Sequence, residues 1–183
     1  MIDSKVYFNI IQVLRPLLQR DFPGCLLGRS SQLKIQGTPS NPVVFFEKIN
    51  DNRYGFPRTD FKLDVADGED PQLIPATTVQ VIQTKMQFSA LAPQTPENEG
   101  TMPSAADVLR RVSMYLSANA TIAMLRARGL NVQRIPDVRT PHFSNDHDQF
   151  QLNPSLDVIF QHDETLVNDI RAIDAYEAEV HRV

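Results

Sequence analysis

The residues best suited to chemistry are His142, Asp146, His147 and Asp148, with His162 and Asp163 not far along the chain. Imidazoles and carboxylates at short spacing are the donor set of a divalent metal site, and a metal there would make the chain a metal-dependent enzyme. The spacing fits none of the usual helical or hairpin ligand sets, however, and the segment is rich in turn-formers, so a polar loop is the expected reading. Other catalytic patterns are missing. There is no Gly-x-Ser-x-Gly run, Ser30, Ser31 and Ser113 have no local base, and no glycine-rich phosphate loop occurs. Cys25 is the only cysteine. That excludes an intrachain disulfide and a cysteine-based zinc site, and beside Leu26 and Leu27 it reads as a small buried residue. Glu177 and Glu179 are expected to be solvated. The expectation is therefore no enzyme, no cofactor and no metal.

Composition narrows the class. The chain has 183 residues, 42% hydrophobic and 22% charged, with a formal net charge of −4. This is ordinary globular usage, enough for one domain with a real core. No basic run exceeds two residues, so a nucleic-acid groove lacks its electrostatic footprint. Asp3, Asn9, Gln12 and Arg15 interrupt the first apolar residues, which is wrong for a signal peptide. No apolar run approaches the roughly 20 residues that span a bilayer. The chain is expected to act in the cytoplasm or in an assembly built there.

The elements that must position any site follow from hydrophobic periodicity. Residues 4–21 have the spacing of an amphipathic helix, through Tyr7, Ile10, Ile11, Leu14, Leu17 and Leu18, with Pro16 inside it. That proline either kinks the helix near Gln12 or starts a second short turn. Strands are expected from Cys25, over Val43–Ile49 and over Thr77–Leu91. The last places Ile82, Met86, Phe88 and Ala90 on one face and Gln83, Lys85, Gln87 and Ser89 on the other. Ser104, with Asp107 three residues on, is a capping box opening a helix; Asn119 is a candidate cap for a second helix that Gly129 ends. Leu130, Val132 and Ile135 read as a short strand. Phe150, Leu152, Leu156, Val158 and Phe160 share one parity of a long closing strand. Beyond Val167 the pattern is divided, with a short helix or turn to about Ile173 favoured and the form of 174–183 open. The whole is an α+β single domain over 1–183, a mostly antiparallel or mixed β-sheet flanked by helices, with long loops near 51–75, 92–103 and 137–149.

The loops and helix surfaces supply the candidates for subunit contact. Arg53, Tyr54 and Phe56 stand in the Asn52–Pro57 turn cluster. Arg110, Arg111, Arg126 and Arg128 form a basic helix surface, for which the plain alternative is a solvated face with Arg126 and Arg128 at a helix C-terminus.

Taken together, several stretches resemble one known family. These are Asn41-Pro42-Val43-Val44-Phe45-Phe46, the Ser-Ala-x-Asp helix start from Ser104 to Leu109, the turn from Leu125 to Val132, and the Phe-x-Leu…Leu-Asp-Val-x-Phe run from Phe150 to Phe160. With the leading helix and the long strand, they are similar to the neck and tail terminator (gateway) proteins of tailed bacteriophages. The resemblance covers roughly Tyr7 to Leu166 and rests on hydrophobic patterns. It implies a tail-terminator-like structural virion protein without a catalytic site. Such a protein forms a ring, typically a hexamer, at the head-tail junction, assembled in the host cytoplasm. The implied partners are further copies of itself, the tail tube protein and head-side connector or adaptor proteins. DNA would be only cargo passing the lumen, and no membrane is involved. Another head-tail adaptor or baseplate subunit is the alternative, with the His142–Asp148 enzyme behind it.

Overall fold

The computed structural model describes residues 3–30, 39–61, 73–93, 102–139, 142–144, 150–152 and 154–171. The chain opens with α1 (Asp3–Asp21), which buries Val6, Tyr7, Ile10, Val13, Leu14 and Leu18 along one stripe. Pro16 lies inside this helix, and both it and Gln12, whose carbonyl loses its amide partner, are exposed, so water can replace the missing bond. The next elements are β1 (Leu26–Arg29), β2 (Val43–Phe61) and β3 (Leu73–Leu91). After them come α2 (Ala105–Ser117), α3 (Asn119–Arg126) and β4 (Asn131–Arg134). The chain then forms β5 (His142–Ser144), β6 (Phe150–Leu152) and β7 (Ser155–Arg171).

Five strands make one sheet in the order β1-β2-β3-β7-β4, with β1 parallel to β2 and the other pairs antiparallel. The strands β5 and β6 form a separate two-stranded ribbon. This is the expected α+β architecture. Alternation in β3 is as the sequence implies: Ile82, Met86, Phe88 and Ala90 are buried, joined by Thr84, while Gln83, Lys85, Gln87 and Ser89 are half-buried. The buried parity of β2, β3 and β7 meets α1 and α2 in a single core. Its centre is an aromatic row. Phe46 stacks on Phe88 with ring centroids 5.4 Å apart, Phe160 tilts against Phe88 at 6.4 Å, and Tyr7 of α1 covers Phe46 at 5.6 Å.

The Ser104 capping box forms in both directions: Asp107 N–H donates to Ser104 Oγ at 3.1 Å, and Ser104 N–H donates to the Asp107 carboxylate at 3.1 Å. Ser104→Ala is expected to cost about 1 kcal/mol, lowering Tm by about 2–4 °C in a thermal melt of a domain this size. The second cap differs from expectation. Ala118, not Asn119, is the N-cap of α3, and its side chain can accept no capping bond. The reason is that Ala118 alone joins the helices, with extended backbone, and serves as the C-cap of α2 as well. Gly129 ends the second helix at φ 76°, as its position implies.

Three expectations about the strands need correction. Residues 51–61 are not loop: β2 runs on to Phe61, paired with β3 down to Ala76. The turn-formers there are absorbed in a bulge between Tyr54 and Arg58, where Gly55 takes φ 69° and the Gln80 side-chain amide donates to the carbonyls of Tyr54 (3.1 Å) and Gly55 (3.4 Å). The expected Phe150–Phe160 strand is two elements, because Pro154 has no amide proton for a ladder and separates β6 from β7. In consequence the 137–149 stretch contains a strand, β5, that pairs with β6. Finally, β7 does not turn into a helix after Val167 but remains paired with β3 as far as Arg171 opposite Leu73, a non-local pairing that overrides the local helical spacing. The remainder of the three proposed loops (62–72, 94–101, 140–141 and 145–149) and residues 172–183 lie outside the described residues.

Candidate functional site

Beyond the helix-covered core, β2, β3 and β7 continue together as a three-stranded arm, from about Asp51 in β2, Thr84 in β3 and Phe160 in β7. Every residue of β2 from Asp51 to Phe61 is exposed, and so is every residue of β7 from Asp163 to Asn168. The arm shows large apolar side chains to solvent: Tyr54, Phe61, Leu166, Val167 and above all Phe56, which is 98% exposed at the tip of the Gln80-held bulge. Exposed apolar residues gathered on one projection make the arm a candidate contact surface.

Of the proposed interface residues, Arg53, Tyr54 and Phe56 therefore sit together on the arm. Arg110, Arg111, Arg126 and Arg128 sit together on the helix layer, a different part of the fold. All seven are exposed. Arg110 pairs with Asp107 at 3.0 Å and Arg111 with Asp21 at 3.3 Å. Arg128 donates to the Met124 carbonyl at 3.0 Å, a favourable place for a cation at the end of α3, and Arg126 donates to Asn131 at 3.2 Å. Asp21 also accepts from the Tyr115 hydroxyl, which ties α1 to α2 beneath Arg111.

The catalytic candidates fare differently. Of the proposed metal loop, Asp146, His147 and Asp148 and the side chain of His142 lie outside the described residues. Among the described residues no group of three or more His, Cys, Asp or Glu is placed to hold a metal ion. Cys25 is buried, and burial pushes its thiol up to about 11, so it stays protonated at neutral pH.

Two polar clusters come together only in the fold, one of them around His162, a residue the sequence places beside the metal-ligand candidates. At the root of the arm, His162 is only 4% exposed. Thr84 donates its one hydroxyl proton to Asp51 at 2.7 Å, so the 3.1 Å contact with His162 must be Nε2–H donating to Thr84 Oγ1. Among the described residues Nδ1 has no hydrogen-bond partner that meets the usual geometry. Burial holds the His162 pKa below the ordinary value, although Asp51 and Glu164 pull the other way. Lys48 closes the cluster, 2.7 Å from Asp51 and 2.6 Å from Asp3.

The second cluster lies on the opposite face of the sheet from the aromatic row. Asp157, 7% exposed, takes Lys85 at 3.0 Å, Gln87 at 3.1 Å and Arg139. Burial opposes its ionisation, but hydrogen bonds from Lys85 and Gln87 and the charge of Arg139 outweigh that and hold its pKa below the ordinary carboxylate value. Backbone bonds of 2.8 Å in both directions between Arg139 and Ser155 fasten the 135–139 segment beside it. In sequence Asp157 looked like one more residue of a strand's polar parity. Nothing local marks its partners.

An open mixed sheet with helices packed on one side and a strand arm projecting past them defines an α+β domain. A family model described as E217 gateway protein gp29 matches residues 5–172, and the chain belongs to that family, as the sequence resemblance implied. Among solved structures it is similar to the sheath/tube terminator of an extracellular contractile injection system, PVC, seen by cryo-EM in the extended state. The TM-score is 0.48 at 14% identity, over 100% of this chain and 64% of that one. The chain thus spans just under two thirds of that protein's length. No curated protein matches.

Proposed function

We propose that this chain is a structural virion protein of a tailed bacteriophage. Six copies form a ring at the head-tail junction that ends the tail tube and joins it to the head-side connector. The observation that carries this reading is the match to the gateway family over nearly the whole chain. The arm supports it, because a stretch with Phe56, Phe61, Leu166 and Val167 in solvent gains free energy when a neighbour covers it. Contacts between unlike patches on successive copies close into a ring when the rotation allows. The protein works through these surfaces and not by catalysis; DNA passes the lumen as cargo. No described helix is long and apolar enough to cross a membrane, and the ring is assembled in the host cytoplasm and carried in the virion.

Native mass spectrometry and electron microscopy of the purified protein, alone and with tail tube protein, test this. Rings, or a cap on the end of each tube, are expected. A protein that remains monomeric and binds neither tube nor connector would overturn the reading.

A further inference from the structure

We infer that the contact closing the ring is made by the β7 side of one copy's arm lying on the α2–α3 surface of the next. This rests on the ring reading and adds to it the two surfaces and their chemistry.

The two surfaces are complementary in charge. Along β7, Asp163 to Asn168 is exposed and carries two carboxylates, Asp163 and Glu164, with no base. From Ala105 to Gly129, the helix layer carries four arginines against the single acid Asp107. They also match in apolar content. Leu166 and Val167, each more than half exposed, lie two and three residues beyond Glu164. On α2, Met114 is 61% exposed and stands three and four residues after Arg111 and Arg110, hence on the same stripe. Met124, on the last turn of α3, is also exposed, and Arg128 just past the helix end donates to its carbonyl. Methionine suits a surface that must adapt to a partner, since its unbranched side chain refits at little cost.

The partner is a second copy because the chain carries both halves of the contact. The acidic-apolar strip belongs to the arm and the basic-methionine stripe to the helix layer, so the contact is between unlike patches. Repeated head to tail, such a contact closes into a ring when the rotation allows and otherwise continues as an open helix. Arg110 and Arg111 are already held in place by Asp107 and Asp21, which lowers the ordering cost of presenting them. A charge-led contact also weakens with salt.

Charge exchange tests it. D163K/E164K is expected to weaken assembly at least tenfold in sedimentation or native mass spectrometry, with unchanged circular dichroism. R110E/R128E is expected to do the same, and a chain carrying all four changes is expected to regain assembly. A mixture of Leu166→Cys and Met114→Cys chains should give disulfide-linked pairs that neither gives alone. Wild-type rings together with undiminished D163K/E164K rings, or with no rescue and no cross-link, would overturn this contact and leave the ring reading standing. Wild-type protein that never assembles, even with tail tube, would remove both.

Discussion

Phe88→Ala is expected to lower the unfolding free energy by about 4 kcal/mol, within the range seen when a buried aromatic is truncated. Phe88 is fully buried and lies between Phe46 and Phe160, so its loss opens a void that three strands and α1 share. The neighbours are sheet side chains fixed by register and cannot close the gap without shifting the ladder. Against a typical total of about 5–15 kcal/mol, the variant would stand near the limit of folding. Urea unfolding should show a lower midpoint with an unchanged slope. Phe88→Leu, which retains much of the volume, should lose clearly less. Equal losses for leucine and alanine would mean that ring stacking rather than the cavity sets the cost.

The Asp157 cluster is expected to give the second large effect, and it is asymmetric. Replacing both cations (Lys85→Met with Arg139→Met) leaves a carboxylate that is 7% exposed with Gln87 as its remaining partner, which should cost about 3 kcal/mol at neutral pH. Asp157→Asn should cost less, because the side chains of Lys85 and Arg139 are 38% and 62% exposed and can turn to water. The pH dependence separates this from a packing loss. With its folded pKa below the reference 3.8, Asp157 adds stability that is fully present above the unfolded value and is lost as pH falls through the folded one. The gap between wild type and the double variant should therefore narrow in acid, as the stranded carboxylate takes up a proton. A gap that is the same at pH 7 and in acid would assign the loss to packing.

What was legible in the sequence was local. The Ser104 box, the turn at Gly129 and the alternation of β3 each depend on residues within a few positions of one another, and each appears where its spacing places it. The length of β2 was not legible, since Gly55 and Pro57 read as turn-formers. Pairing with β3, whose register is set by the hydrophobic face at Phe46 and Phe88, carries the strand past them. The same competition, won by distant pairing, made β7 a strand beyond Val167. Among the site residues, Arg53, Tyr54 and Phe56 could be picked out as candidates, but not as part of a three-stranded arm. The clusters around His162 and Asp157 could not be found, because their partners come from other strands and from the 135–139 segment.

The bulge that presents Phe56 has a second consequence. Within the described residues, the arm has two outer borders, one along β2 and one along β7. On the β2 border, an irregularity at Tyr54/Arg58, with Pro57 inside it, interrupts the register with β3, whereas β7 holds unbroken register with β3. A bulged, proline-bearing border resists the addition of a further strand. Copies meeting border to border would stop after a single addition, so the sheet cannot grow from subunit to subunit into an endless ribbon. The bulge at Gly55 thus does two things at once: it presents Phe56 and it blunts an edge.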